Sequence, residues 1–276
     1  MTIDLHGKVI VITGASSGIG AATAIECARA GMNVVLNARR AERLESVAEQ
    51  VRAAGGEVDT VVGDVTDAGI SARLLDAAQQ RFDRFDAVFA NAGYGFKKPT
   101  HEVAPEQLRH IFEVNFFASV DLINAAANRL IQQKRPGHLL MCSSCVAKFT
   151  LPGYSAYTAT KAAQNHLCRA MGIELEPHGI FVSSVHPITT TTEFFEVSQR
   201  LGGGGSAAGK SAPAPGHAPK LFVQTPQRVA RAIVRCLRRP RPEVWTSLTT
   251  RAVAAAMTLV PGFMDVVMRR AGRADG

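Results

Sequence analysis

The sequence has no uninterrupted apolar stretch of about 18 residues, which excludes a polytopic membrane protein. It has no internal repeat of fixed period. Its five cysteines (Cys27, Cys142, Cys145, Cys168 and Cys236) are odd in number and scattered, so a disulfide scaffold is excluded and a reducing compartment is expected. Cys142 and Cys145 form a C-x-x-C, yet it lies in C-S-S-C after an apolar run, with no second pair to complete a zinc set. Neither a thioredoxin-like redox centre nor a metal site is expected from it. Residues 1–8 show no charged segment followed by an apolar one, so no secretory leader is expected and the setting expected is cytoplasmic. No recognised nucleic-acid motif is present, and the basic residues form no platform interleaved with aromatics.

What is present is ordinary for a globular chain: 276 residues, 46% hydrophobic and 20% charged. That length suffices for one large domain whose core needs no disulfide or metal staple. A net charge of +8 favours anionic partners such as phosphates, acidic lipids or nucleic acid, and names none of them.

Short β-branched or apolar runs at 9–13, 33–38, 57–62, 86–90, 138–143 and 180–185 read as strands. Between them, helical patterns occupy 18–30, 41–54, 68–82, 105–133 and 155–176. This alternation means crossover connections and a parallel sheet covered on both faces. Fully apolar strands fit that burial.

Two segments break the rhythm. Residues 202–219 contain 16 Gly, Ala, Pro or Ser out of 18, a flexible composition that reads either as a lid or as a mobile insertion. The C-terminal segment 226–276 opens with a basic helix at 226–239, and seven arginines against one acid fall between Arg228 and Arg251. The stretch 252–268 is mostly apolar, interrupted by Pro261 and Asp265. It reads as a segment lying on a membrane surface or a second subunit, or as one closing over a substrate pocket with its arginines on a solvated face. The last is favoured, because apolar residues near a chain end usually pack on their own domain.

The first strand runs into Thr13-Gly14-Ala15-Ser16-Ser17-Gly18-Ile19-Gly20. Glycines let the backbone turn sharply and approach a ligand, and the following helix offers unpaired N–H groups at its positive end. Together they read as a pyrophosphate site. The second strand ends Asn37-Ala38-Arg39-Arg40, without the acid that would bind a ribose hydroxyl. Arginine grips a 2′-phosphate instead, so NADP(H) is preferred, with Arg39 as the residue expected to bind it. Arg40 reads equally as the start of a solvated helix. Asp64, in Gly63-Asp64-Val65 after the third strand, reads as an acceptor for an adenine amino group or as a cap for the next helix.

Tyr157 and Lys161 stand at i and i+4, on one helix face. A free tyrosine titrates near 10, and a neighbouring ammonium is expected to lower that value and fit the phenol for proton exchange with an alcohol or carbonyl oxygen. Ser144 lies 13 residues earlier, at the carboxyl end of a strand, where parallel sheets gather ligands. Asn91-Ala92-Gly93 also follows a strand directly. Asn115 sits within a long helical pattern, where a buried amide needs partners.

Taken together and in this order, T-G-A-S-S-G-I-G at 13–20, N-A-G at 91–93, Asn115, Ser143-Ser144, Y-T-A-T-K at 157–161 and His186-Pro187 resemble the short-chain dehydrogenase/reductase pattern over roughly residues 5–195. The resemblance implies one Rossmann-like, doubly wound α/β domain over residues 1–276, with a seven-stranded parallel sheet and helices on both faces. It implies a catalytic set of Asn115, Ser144, Tyr157 and Lys161. Tyr157 would be the general acid/base, Lys161 would lower its pKa and bind the nicotinamide ribose, Ser144 would orient the substrate oxygen, and Asn115 would hold a relay water behind Lys161. It implies cofactor contacts from Gly14, Ser16, Ser17, Gly18, Ile19, Gly20, Arg39, Asp64, Val65, Asn91, Ala92, Gly93, Tyr157, Lys161, Pro187 and Thr192. One departure is Ile188, where the family usually has glycine. A β-branched residue resists positive φ, so the backbone there is expected to run differently.

The expected activity is NADP(H)-dependent hydride transfer between a nicotinamide and a carbonyl or secondary alcohol. The alternative is a non-catalytic NADP-binding regulatory protein on the same scaffold, and a membrane- or nucleic-acid-binding protein stands third. Tyr94, Phe96, Cys145, Phe149, Tyr154, Phe194 and the 202–219 insertion would line a largely apolar substrate pocket, which points to a hydrophobic substrate. The resemblance also implies a homodimer or homotetramer packed through the helices of 105–134 and 155–176.

Overall fold

The computed structural model describes residues 2–149, 151–193 and 223–260, together with 198, 262, 266 and 269. The 202–219 insertion, Phe194 and most of the tail beyond 260 lie outside these residues. Strand β1 (Val9–Thr13, Val-Ile-Val-Ile-Thr) is buried along its whole length. Side chains alternate across a strand, so Ile10 and Ile12 face one side of the sheet and Val9 and Val11 the other. A strand that is apolar on both faces belongs in the middle of a covered parallel sheet.

The order along the chain is β1, α1 (Gly18–Arg29), β2 (Asn33–Ala38), α2 (Ala41–Ala53), β3 (Val58–Val62), α3 (Ile70–Phe82) and β4 (Ala87–Ala90). Then come α4 (Pro105–Phe112), α5 (Ala118–Gln132), β5 (Gly137–Cys142), α6 (Ser155–Glu174) and β6 (Ile180–His186). Last are β7 (Thr189–Thr190), β8 (Val223–Gln224), α7 (Pro226–Arg238), β9 (Glu243–Trp245) and α8 (Leu248–Leu259). Seven strands form one parallel sheet in the order β3-β2-β1-β4-β5-β6-β9. The strand order reverses beside β1, between β2 and β4, and a crevice at such a point is where open α/β sheets bind ligands.

Two apolar layers sandwich the sheet. One joins Ile10, Ile12 and Leu36 to residues of α1, α2 and α7, and the other joins Val9, Val11 and Met141 to residues of α3, α5 and α6. The basic helix α7 buries Val229, Ile233, Val234 and Leu237, while Arg228, Arg231, Arg235 and Arg238 remain exposed, so its arginines do occupy a solvated face.

Three features depart from the sequence reading. The helical pattern at 105–133 is divided by a π-helical turn, Glu113–Phe117, which places Asn115 in the interior. The seventh strand, β9, has only three residues, and Val244 alone among them is buried. β7 and β8 pair as a small parallel ribbon that ties together the two sides of the segment carrying the insertion. Beyond β9, α8 buries only Thr250 and Ala254, and its Thr258 hydroxyl donates to the Lys148 carbonyl at 3.4 Å. The start of the tail therefore lies beside the turn after β5. No helix among the described residues is long and apolar enough to cross a membrane.

Candidate active site

The turn after β1 is built by close approach. Gly14 has φ +64°, and a Cβ on it would stand 2.8 Å from the Ala92 Cα, while a Cβ on Gly20 would overlap the Gly14 carbonyl. Only glycine satisfies both demands. Helix α1 starts here with Ser17 as its N-cap; Ser17 makes no side-chain cap bond, and the first turn holds no acid. Its N–H groups and dipole are therefore uncompensated by side chains, as an anion site requires. Asn91 braces the turn from β4, its amide donating to the Thr13 carbonyl at 3.0 Å and the Gly14 carbonyl at 3.2 Å. The Thr192 methyl closes on the same turn, 3.0 Å from where a Cβ on Gly18 would fall.

The arginines after β2 divide their work. Arg40 leads into α2, but its guanidinium turns back to donate to the Ser16 and Ser17 hydroxyls, each at 3.1 Å. It also pairs with Glu193 at 2.8 Å, and Arg43 pairs with the same carboxylate. Arg39 is 76% exposed and pairs with Asp64 at 3.3 Å. Reading Arg40 as merely the solvated start of a helix is thus corrected: it is Arg40 that reaches the glycine turn. Asp64 accepts from the Thr66 backbone at 3.0 Å and its hydroxyl at 2.9 Å. Burial raises its pKa, but the Thr66 hydrogen bonds and Arg39 outweigh that and hold the carboxyl below its ordinary value. Asp64 does not cap the next helix, whose N-cap is Gly69; its carboxylate closes a local turn on Thr66 instead. Val65 and Ala92 line one small cavity with Thr13 and Ser119.

Ser144 follows β5 and caps the 145–148 turn, its hydroxyl accepting from the Val146 backbone at 3.3 Å. The same hydroxyl is hydrogen-bonded to the Tyr157 phenol. Tyr157 and Lys161 share a face of α6, with the ammonium 5.6 Å from the tyrosine ring centroid. Ser144, Tyr157 and Lys161 thus form one cluster, reached from β5 and α6 at the carboxyl edge of the sheet.

The electrostatics of the cluster differ from the expectation. Desolvation of the Tyr157 hydroxyl pushes its pKa above the ordinary tyrosine range, with Cys142 adding to the rise and the Ser144 hydrogen bond opposing it. The net shift is upward, against the lowering expected from Lys161. Its ammonium donates to the Cys142 carbonyl at 2.7 Å and to Gln164 Oε1 at 3.0 Å, and burial brings its own pKa down to about 8. In this arrangement the Tyr157 phenol is protonated at neutral pH.

Asn115 is fully buried. Its amide is consumed by the Tyr94 backbone, N–H to Oδ1 at 2.9 Å and Nδ2 to carbonyl at 2.8 Å, and by the Thr160 hydroxyl at 3.1 Å. The π turn frees its backbone carbonyl from regular helix bonding, and that oxygen accepts from the Ser119 hydroxyl at 2.9 Å and Gln164 Nε2 at 2.5 Å. Gln164 thus links the Asn115 carbonyl to the Lys161 ammonium.

His186, Gln164 and Arg40 are the contributors whose work the sequence reading did not assign. His186 bonds through Nδ1 to the Ser144 carbonyl and through Nε2 to the Ser184 hydroxyl, both at 2.9 Å, and stacks on Trp245 with ring centroids 4.5 Å apart. Burial lowers its pKa to about 4, so it is neutral at physiological pH. Next to it, the Pro187 carbonyl accepts from the Cys145 backbone at 3.0 Å. Ile188 is buried and is not among the residues of positive φ, so the chain passes it without strain. Among the expected pocket residues, Phe96 is a core residue packed with Ile111, Ala156 and Tyr157. Tyr94, Cys145, Phe149 and Tyr154 are part-exposed.

A doubly wound parallel sheet with a glycine cradle after its first strand defines a Rossmann-like class. Residues 8–200 match the short chain dehydrogenase family. An uncharacterised oxidoreductase of Listeria innocua is 34% identical over 196 residues, covering 70% of this chain and 79% of that protein. A short chain dehydrogenase/reductase from Burkholderia phymatum, solved in complex with NAD, superposes with a TM-score of 0.80 at 25% identity, covering 92% of this chain and 93% of that one. An alcohol dehydrogenase from Thermococcus sibiricus, complexed with 5-hydroxy-NADP, gives 0.69 at 33% identity over 86% of this chain and 94% of its own. The chain belongs to the short-chain dehydrogenase/reductase family, oxidoreductases that use a nicotinamide cofactor and act on small molecules.

Proposed function

We propose that this chain, as a single domain, is an NADP(H)-dependent oxidoreductase acting on a carbonyl or secondary alcohol of a hydrophobic substrate. The observation that carries the cofactor assignment is Arg40. Its guanidinium, with the Ser16 and Ser17 hydroxyls, forms a donor cluster beside the glycine cradle, which suits a 2′-phosphate. The tight turn that Gly14 and Gly20 allow leads into the uncapped N-terminus of α1, which fits a pyrophosphate. Ser16, Ser17, Gly18 and Ile19 would offer it backbone N–H groups. Arg39, Asp64 and Val65 would border the adenosine, Asn91, Ala92 and Gly93 the floor, and Pro187 and Thr192 the nicotinamide end. Bound nicotinamide supplies or accepts the hydride.

The remaining chemistry belongs to the chain. Ser144 orients the substrate oxygen by hydrogen bonding. Tyr157, protonated at neutral pH, donates its proton to that oxygen during reduction and recovers it during oxidation. Lys161 places a positive charge beside the phenolate that forms and would hold the nicotinamide ribose. Asn115 positions the loop after β4 at Tyr94 and Thr160 on α6.

The test is turnover of the purified chain with NADPH and with NADH against apolar ketones and aldehydes. Reduction by NADPH with weaker use of NADH supports the proposal. Tight NADPH binding without turnover of any substrate would point to a regulatory protein, and preference for NADH would refute the cofactor assignment.

A further inference from the structure

Gln164 is fully buried, as is Asn115, and Lys161 is 4% exposed. Its carboxamide takes the Lys161 ammonium on the oxygen side at 3.0 Å. On the nitrogen side it donates to the Asn115 carbonyl at 2.5 Å and to the Ser119 hydroxyl at 3.2 Å. Both ends of the amide are thereby satisfied, and its orientation is fixed by the chemistry of its partners: an ammonium only donates and a carbonyl only accepts. We propose that Gln164 is a positioning residue for Lys161, holding the ammonium against the sheet and linking it to the π turn of Asn115. This rests on the reading of Tyr157 and Lys161 given above and deepens it.

The link has a chemical consequence. An amide neither gives nor takes a proton near neutral pH, so the line from Lys161 to the Asn115 carbonyl through Gln164 is a route for position and not for protons. The amide also supplies the buried ammonium with an acceptor, beside the Cys142 carbonyl. Losing that acceptor deepens the desolvation that already holds Lys161 down to about 8.

The groups facing the ammonium from the packed elements are few. Tyr157 lies on its own helix, and the Cys142 thiol on β5 is kept neutral by burial. The π turn and α5 present Asn115 and Ser119, both uncharged. The loop after β4 presents the backbone of Gly93, where a Cβ would lie 3.5 Å from the ammonium. Among the described residues no carboxylate is a neighbour of the ammonium, so a charge placed at 164 acts on Lys161 directly.

The experiment is titration of Lys161 by NMR of carbon-labelled lysine in the cofactor-free protein, assigned with Lys161→Arg, in wild type, Gln164→Met and Gln164→Glu. The pH profile of kcat is measured alongside. Gln164→Glu keeps size and acceptor and should raise the Lys161 midpoint by about one pH unit or more; Gln164→Met should lower it. The kcat profile should move in the same sense in each variant, with Gln164→Glu retaining more activity than Gln164→Met. If Gln164→Met fails to fold, Gln164→Glu alone decides. An unmoved Lys161 in an active enzyme overturns this inference alone. A Lys161 midpoint that shifts in the variants while wild type shows no turnover supports the Gln164–Lys161 link and overturns the catalytic reading alone.

Discussion

Arg40 shows how much a side chain's direction matters at the scale of one residue. Arg39 and Arg40 are neighbours of the same type, yet one pairs with Asp64 and the other reaches Ser16 and Ser17. Charge-assisted hydrogen bonds of this kind contribute about 1.5–3 kcal/mol. Arg40→Ala should therefore weaken NADPH binding roughly 10- to 100-fold and NADH binding little, and the selective loss should exceed that of Arg39→Ala. Fluorescence titration with each cofactor checks this; equal losses for both would remove Arg40 from the 2′-phosphate. The spacing of Tyr157 and Lys161 already put both on one face, and Ser144 was legible as a hydroxyl at a strand's carboxyl end. Gln164 carried a signal too, three residues after Lys161 on a shared face, but a buried glutamine has no chemistry of its own to announce. What Arg40 and Gln164 do depends on tertiary partners 24 and 49 residues away.

Among the elements, β9 was the hardest to see. Three residues, Glu-Val-Trp, show neither alternation nor a sustained apolar run, so pattern offers no purchase. The strand is secured instead by side chains at its ends. Glu243 accepts from Lys148 at 2.7 Å and from the Trp245 indole at 2.9 Å, and lies 3.5 Å from Arg169. Burial opposes its ionisation, yet Lys148 and Trp245 prevail and bring its pKa to about 2. A carboxyl depressed in the folded state stabilises fully above the unfolded value, near 4.5, and loses that contribution as pH falls toward 2. Glu243→Gln should lower the melting temperature at pH 7, with the gap from wild type closing between about pH 4.5 and 2. A gap that stays constant across that range would mean the carboxylate charge contributes nothing. The π turn was also hidden. Residues 105–133 carry an unbroken helical pattern, and the extra residue in one turn leaves no mark on it, although it is what frees the Asn115 carbonyl.

In the molecule as a whole, the sheet and its two covers were readable because buried parallel strands are nearly pure apolar runs. The ends of the chain were less so, since α8 buries only Thr250 and Ala254. Leu108, Phe117 and Ile173 are exposed apolar residues on the two helical regions expected to pair copies of this chain. We propose a homodimer or homotetramer through those faces, in which Phe117→Asp places like charges across a self-complementary contact and should shift sedimentation toward the monomer. A wild-type monomer would refute it. The account of activity turns on the Tyr157 phenol as the proton donor, and the most direct test is Tyr157→Phe assayed for NADPH-dependent reduction, with NADPH affinity measured on the same sample. The variant should bind NADPH within a few-fold of wild type and lose turnover by about 10²–10⁴-fold. Turnover retained at near wild-type rate would contradict the account.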